Sequence, residues 1–253
     1  PALLKRDADT YVEAFMYNTN DRNGDGYLSA FNISADGETL EETPVNSNST
    51  RWQFEGYDYY GGNWVQVDEN TYALAYWDYG SGGYITTFDI SDDAATITKK
   101  NNRYLFSQTS NTNDGRENDF IKLSSDIYVI AYRDHNNRGI VASFTISSDG
   151  ATITRKDWEY LLSSSNNSYM DYNSLVQVDN NTLAVAHSGA SSGGEGWITT
   201  FNVDPSTGEI TGASGSSNKY VNRLKHDNVS GKYNSFVKLG GDKYVLAYAG
   251  SGD

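Results

Sequence analysis

An all-β fold of repeated four-stranded antiparallel units is predicted by three observations: a recurring strand, a constant order of signals around it, and a composition suited to short strands. The recurring strand reads Tyr11-Val12-Glu13-Ala14-Phe15, Tyr72-Ala73-Leu74-Ala75-Tyr76, Tyr128-Val129-Ile130-Ala131-Tyr132, Leu183-Ala184-Val185-Ala186-His187 and Tyr244-Val245-Leu246-Ala247-Tyr248. Its alanines follow one another at intervals of 55 to 61 residues. A period of this size denotes supersecondary units, each too small to bury its own apolar face, that are stable only when neighbours stack. The 20 Tyr and 24 Gly among 253 residues, against 3 Pro, suit half-buried pleated surfaces joined by tight turns.

Each repeat opens on a short apolar run: Ala2-Leu3-Leu4, Trp64-Val65-Gln66-Val67, Phe120-Ile121-Lys122-Leu123, Leu175-Val176-Gln177-Val178 and Phe236-Val237-Lys238-Leu239. A polar turn such as Asp68-Glu69-Asn70, Asp179-Asn180-Asn181 or Gly240-Gly241-Asp242 leads to the recurring strand, so the two form a hairpin. A longer loop then precedes a third strand, Gly26-Tyr27-Leu28-Ser29-Ala30-Phe31-Asn32-Ile33 and its counterparts from Gly83, Gly139 and Gly196. There large apolar residues alternate with Ser or Thr, as a sheet with unequal faces requires. Turns such as Ser147-Ser148-Asp149-Gly150 and Asp204-Pro205-Ser206-Thr207-Gly208 feed a Thr-rich fourth strand, for example Thr96-Ile97-Thr98 or Thr152-Ile153-Thr154. The small alanines of the second strand let neighbouring sheets approach, with aromatic rings filling the gaps.

Four-stranded meanders at this period predict a β-propeller, with a linear stack or a sandwich of hairpins as the rival. The blades run approximately over residues 1–62, 63–118, 119–173 and 174–234, with the first hairpin of a fifth at 235–253. Because the fifth repeat ends after two strands, the chain is expected to be a piece of a longer protein and to self-associate through the incomplete blade. The strand Tyr72-Ala73-Leu74-Ala75-Tyr76 followed by Gly83-Tyr84-Ile85-Thr86-Thr87-Phe88-Asp89-Ile90-Ser91 resembles tandem propeller repeats of bacterial and archaeal secreted or surface proteins. The Asp149-Gly150 and Asp204 to Gly208 turns are also similar to those of lactonase-type and surface-layer propellers. This resemblance covers essentially the whole chain and implies an extracellular or cell-surface location.

A formal charge of −14 leaves little attraction for nucleic acid or anionic lipid, so neither is expected as a partner. With no cysteine, disulfides, thiolate metal sites and cysteine nucleophiles are excluded. No stretch approaches a membrane-spanning length, and Pro1-Ala2-Leu3-Leu4-Lys5 is too short for a signal peptide, so a targeting signal is expected outside this chain.

In a propeller the loops between strands two and three share one face with the connections from strand four to the next blade. Aromatic rings, carboxylates and amides there suit carbohydrate, since rings stack on apolar sugar faces and polar groups take hydroxyls. The candidates are Tyr57, Asp58, Tyr59, Trp77, Tyr79, Asp134, Asp171, Tyr172 and Tyr233, the alternative for each aromatic being packing between blades. Asp21-Arg22-Asn23-Gly24-Asp25-Gly26 matches the opening of a calcium loop, with Asp21, Asn23 and Asp25 as oxygen donors. An ordinary Asp-Gly hairpin is the alternative, since the twelfth position is Asn32 rather than Glu. His187 stands where other repeats have Phe15, Tyr76, Tyr132 and Tyr248 and is expected to pack like them; His135 and His226 are expected on loops. Their positions in the repeats differ, which argues against a three-histidine metal centre. There is no Gly-x-Ser-x-Gly elbow, and 33 acids offer carboxylate pairs without pointing to one. Sequons occur at Asn32, Asn48, Asn166, Asn180 and Asn228.

Three functions remain open on these residues: a non-enzymatic binding or scaffold module engaging glycan or protein, a polysaccharide- or lactone-acting enzyme, and a purely structural array.

Overall fold

The computed structural model describes residues 1–17, 24–46, 50–56, 58–162, 170–189, 194–212 and 219–250. Four antiparallel sheets and a hairpin follow one another along the chain. The first sheet orders β1 (Ala2–Lys5), β2 (Thr10–Tyr17), β3 (Asp25–Ile33) and β4 (Leu40–Thr43), with β5 (Trp52–Glu55) also on β3. The second contains β6 (Tyr60–Gln66), β7 (Thr71–Asp78) and β8 (Gly82–Ile90), with β9 (Ile97–Lys99) and β10 (Tyr104–Leu105) both on β8. In the third, β11 (Arg116–Lys122), β12 (Ile127–Arg133), β13 (Gly139–Ile146) and β14 (Ile153–Leu162) pair in order. The fourth has β15 (Asp171–Gln177), β16 (Thr182–Ser188) and β17 (Gly196–Val203), the last flanked by β18 (Ile210–Thr211) and β19 (Asn222–Asp227). β20 (Lys232–Gly240) and β21 (Lys243–Ala249) form the hairpin. The fold is therefore that of β-propeller blades, as the repeat predicts.

One detail departs from the sequence reading. The single fourth strand expected in each repeat is continuous only in the third sheet; elsewhere it is two short pieces set end to end along strand three. In the first sheet the interruption holds residues that break a ladder. Pro44 lacks a donor and Asn46 turns to a φ of 50°, whereas the third sheet runs through Thr154, Trp158 and Tyr160 and absorbs its irregularity in register shifts.

The described residues form two compact units, Pro1–Thr112 with Ser147–Thr152, and Asn113–Ile146 with Ile153–Asp253. In the first unit, Val12, Ala14, Leu28 and Ala30 share one core with Tyr72, Leu74, Tyr76 and Phe88 of the second sheet. Phe54 is wedged edge-on at 5.8 Å from Tyr76 and 5.5 Å from Phe88, a geometry that sets a positive ring edge against a negative face. In the second unit, Val129, Ala131, Val141 and Leu161 join Leu183, Val185 and Phe201, while Val176, Ala184 and Ala186 pack with Phe236. The repeated alanines Ala14, Ala75, Ala131 and Ala186 are all fully buried.

The turn after strand three supplies a second tie between sheets. Gly150 in the first unit has a φ of +69° and its carbonyl accepts from Thr87 Oγ1 at 2.6 Å. Gly208 in the second has a φ of +80° and accepts from Ser143 Oγ at 2.5 Å. Thr87 and Ser143 hold the same place in their third strands, two residues after the partner of the repeated alanine. A Cβ on Gly150 would stand 2.9 Å from Thr71 Cγ2 and 3.1 Å from Thr87 Cβ, so both conformation and contact demand glycine. Gly37, in the first sheet's version of this turn, has a φ of +74° but nothing within 4 Å of such a Cβ. Gly37→Ala is therefore expected to cost only the backbone strain, about 1 kcal/mol, and Gly150→Ala about 1–3 kcal/mol more from the clash. Urea unfolding of the two variants checks this; equal losses would remove the contact from the account.

Candidate functional site

In the second unit the first strands lie side by side, β11 beside β15 and β15 beside β20. Each begins with the same irregularity, a register shift between Arg116 and Asp119, between Asp171 and Ser174, and between Lys232 and Ser235. At each shift one residue takes a left-handed φ: Glu117 at 51°, Tyr172 at 56° and Tyr233 at 54°. The first unit has the same bulge with Gly61 at 47°. Glycine accepts this conformation freely; a glutamate and two tyrosines pay on the order of 1 kcal/mol or more each. Such bulges re-aim side chains, and strained non-glycine residues cluster at functional sites.

The asparagine after each bulge explains how the strain is held. Asn173 Nδ2 donates to the Glu117 carbonyl at 2.6 Å, and Asn234 Nδ2 to the Tyr172 carbonyl at 3.1 Å and the Gly231 carbonyl at 2.8 Å. One residue further, Asp119 Oδ2 accepts the Leu175 N–H at 2.5 Å and Ser174 Oγ accepts the Phe236 N–H at 2.9 Å. Side chains of adjacent first strands are thus bonded to each other's backbone in both directions, Asn173 and Asn234 to the preceding strand and Asp119 and Ser174 to the following one.

These ties bring together Glu117, Arg133, Asp171, Tyr172 and Tyr233. Arg133 Nη1 donates to Asp171 Oδ1. The Tyr172 N–H donates to Glu117 Oε2 at 3.3 Å, and the rings of Tyr172 and Tyr233 meet with centroids 4.5 Å apart. Burial raises the Glu117 carboxyl above its ordinary value, and the charge of Asp171 adds to that, while Arg133 opposes it. Burial and a hydrogen bond with Tyr233 likewise raise the Tyr172 phenol. Tyr233 stands 69% exposed. The cluster thus offers two touching rings, a carboxyl biased toward protonation, and an ion pair.

The other sequence candidates are placed differently. Asp58, Tyr59 and Trp77 are buried in the first unit: Tyr59 packs against Phe54 and Tyr76, and Trp77 Nε1 donates to the Thr112 carbonyl at 3.1 Å. Tyr79 is 54% exposed and flanks Trp77 and Tyr60. Asp134 is buried and spent on its own loop, accepting Arg138 Nε at 2.7 Å and the N–H groups of Asn136 and Arg138. Tyr57, Asp21 and Asn23 lie outside the described residues. Asp25 starts β3 and accepts Gln53 Nε2 at 2.9 Å. Among the described residues no group of three or more His, Cys, Asp or Glu is set to hold a metal ion.

His187 is buried at the aromatic position, with Nε2 2.8 Å from Thr199 Oγ1. His226, expected on a loop, instead belongs to β19, where its ring lies over Gly196 and 4.7 Å from Tyr248. Glu117 and Arg133 are not among the nine named candidates, although the repeat puts both in segments of the same face, residues 114–117 and 133–138. Aligning Asn118, Asn173 and Asn234 puts Glu117 in register with Tyr172 and Tyr233. The pairing of Arg133 with Asp171 of the next sheet is tertiary and has no sequence signal.

No protein-family model and no curated protein matches the sequence. Solved structures do match the fold. NanB sialidase from Streptococcus pneumoniae superposes with a TM-score of 0.58 at 15% identity, over 88% of this chain and 32% of that one. The periplasmic gluconolactonase PpgL of Pseudomonas aeruginosa gives 0.54 at 10% identity, over 98% and 77%. The catalytic domain of the Coprinopsis cinerea GH62 α-L-arabinofuranosidase gives 0.52 at 10% identity, over 100% and 84%. This chain spans about a third of the length of the sialidase chain. At such identities the likeness establishes the β-propeller fold and nothing finer.

Asp119 makes the ties between first strands sensitive to pH. Burial pushes its carboxyl up to about 6 despite the Leu175 and Phe120 N–H bonds. The folded state therefore binds the proton more tightly than the unfolded chain, whose aspartates titrate near 3.9, and stability falls as pH rises from about 4 to 6. Glu117, also raised, acts in the same sense, whereas the lowered Asp36, Asp93, Asp149 and Asp204 act oppositely. Asp119→Ser copies Ser174 and retains an acceptor without the charge. Relative to this variant, the native chain is expected to lose on the order of 1–3 kcal/mol between pH 4 and 7, read by urea unfolding at each pH. A constant difference across that range would contradict the assignment.

Proposed function

We propose that the protein is a carbohydrate-binding propeller module of a secreted or surface protein, engaging glycan through Tyr172 and Tyr233. The observation that carries this reading is the contact of two tyrosine rings, each held in a left-handed conformation at an equivalent bulge. An aromatic pair of this kind presents a rigid apolar face to a sugar ring, and the adjacent Glu117 and the Arg133–Asp171 pair supply hydrogen-bonding partners for hydroxyls. Fold neighbours named as a sialidase, a gluconolactonase and an arabinofuranosidase support a carbohydrate class of ligand.

A second reading is that this cluster acts on its carbohydrate. It is favoured by Glu117, whose raised carboxyl and strained backbone are features of a general acid. Both readings are separated by two variants assayed on a panel of polysaccharides and lactones. Tyr233→Ala is expected to weaken glycan binding by about 5–30-fold, the loss of one stacking contact worth about 1–2 kcal/mol. Glu117→Gln is expected to preserve binding; if the native chain turns a substrate over, the variant should lose about 100-fold or more in rate. Absence of binding to any glycan, or binding unchanged in Tyr233→Ala, would sink the first reading.

A further inference from the structure

The repeats act as internal controls for one another, and one covered position differs in its chemistry. Each third strand has a glycine near its start whose Cβ would collide with a side chain laid over it: Phe54 over Gly26, Phe106 over Gly83, Met170 over Gly139 and His226 over Gly196. Phe54, Phe106 and Met170 are buried and apolar, so the place suits a side chain without charge. In the fourth sheet it holds an imidazole with both ring nitrogens enclosed and, among the described residues, no hydrogen-bond partner for either. Burial lowers the affinity of this ring for a proton, against the smaller opposing pull of Asp227.

The same ring joins the fourth sheet to the hairpin that carries Tyr233. It lies 4.7 Å from the Tyr248 ring of β21, edge to face, and a Cβ on Gly231 would stand 3.3 Å from its Cε1. Beside it the Gly231 N–H donates to the Gly194 carbonyl at 2.7 Å. The Gly231 carbonyl accepts Asn234 Nδ2 at 2.8 Å, a bond that holds the bulge at Tyr233. His226, Gly231, Asn234 and Tyr233 thus form one chain of contacts from the covered glycine to the tyrosine pair. Further along, Phe236, Tyr244 and Leu246 anchor the hairpin in an apolar cluster, which leaves its bulged end free to open while the remainder stays packed. The charged and titratable groups around the ring are Asp227 on its own strand, Glu195 ahead of β17 and bonded to Lys225, Lys232 at the start of β20, and Tyr248, whose hydroxyl donates to the Asp227 carboxylate.

We infer that His226 is an acid-sensitive latch: protonation drives its ring out from over Gly196, frees the bulged start of β20 and parts Tyr233 from Tyr172. A charged imidazole carries two N–H donors, and the closed position gives neither an acceptor, whereas water gives both. Proton uptake needs no path to the enclosed nitrogens, because it occurs when the ring has swung into solvent, and it then holds the open state. Because the closed ring binds a proton less tightly than a free one, the latch is at full strength above the ordinary histidine value of about 6.5 and weakens as pH falls below it. Glu117 and Asp119 act in the opposite sense, since burial raises both. Release of a sugar in acid rests on the carbohydrate reading above; the latch itself does not.

The test is a titration of the full chain from about pH 7.5 to about pH 4.5, followed by the His226 ring resonances and the backbone amides of Gly231, Tyr233 and Asn234. Ring and amides are expected to move together with one midpoint below about 6.5. The amides should stay still in His226→Phe, which copies Phe54 and Phe106, and in His226→Met, which copies Met170. Binding to immobilised arabinoxylan, pectin and chitin should weaken about three- to tenfold between about pH 7 and pH 5, tenfold being one unit of proton affinity. Glu117→Gln, which removes the titrating carboxyl beside the tyrosines, should keep this response, and His226→Phe should lose it. Amides that stay still in the native chain while the ring titrates would overturn the latch whatever the variants do. Amide movement unchanged in His226→Phe, or polysaccharide binding equal at both pH values, would also overturn it. If no polysaccharide binds, the carbohydrate reading fails and the amide titration decides the latch by itself.

Discussion

The structure depends on hydrogen bonds that run from a side chain in one sheet to the backbone of the next. Stacked sheets bury large apolar surface, but hydrophobic contact is non-directional and tolerates sliding. Asp119 to the Leu175 N–H and Ser174 to the Phe236 N–H pin the first strands of successive sheets in the second unit. Ser143 to the Gly208 carbonyl does the same at the third strand, and Thr87 to the Gly150 carbonyl serves the first unit. Because each bond spans about one repeat length, the period of the sequence is also the period of these ties.

That scaffold permits local strain. A left-handed glutamate or tyrosine persists only where its surroundings over-determine it, and here the neighbouring asparagine bonds the bulge carbonyl while the strand beyond is locked in register. The first unit has the relaxed version, Gly61, at the same bulge. Identical backbone with unlike side chains, Gly61, Glu117, Tyr172 and Tyr233, is how a repeat architecture builds an asymmetric site from a symmetric frame. The outer strands show the same logic: Asp78 pairs with Arg103, and the fourth sheet has Gly189 at the place of that aspartate.

Burial decides which of the many polar residues remain available. Tyr59 and Asp58 stand in a connection between sheets, where exposure is the ordinary expectation, yet both are enclosed. A cause for Tyr59 is visible in the repeat: a Cβ at Gly62 would lie 2.4 Å from its hydroxyl, so the ring occupies room that Asn118, Asn173 and Asn234 fill elsewhere. Tyr233 and Tyr172 have no such recess and lie against each other.

By itself the sequence determined the all-β class, the four-stranded repeat, the packing role of Ala14, Ala75, Ala131 and Ala186, and the aromatic place of His187, since each follows from periodicity and side-chain size. Tyr172 and Tyr233 were legible as candidates because they stand just ahead of the first apolar run of their repeats, where a connection is expected; the structure places them instead at the bulged starts of β15 and β20. Only the tertiary structure decided that the outer strand splits, that His226 lies in a strand over Gly196, that Glu117 joins the tyrosines, that Arg133 pairs with Asp171 and that Arg223 stacks on Trp197. The reason is physical: periodicity reports which face of a strand is buried, whereas charge pairing and strained φ angles arise from residues about a repeat apart, brought together only when sheets stack.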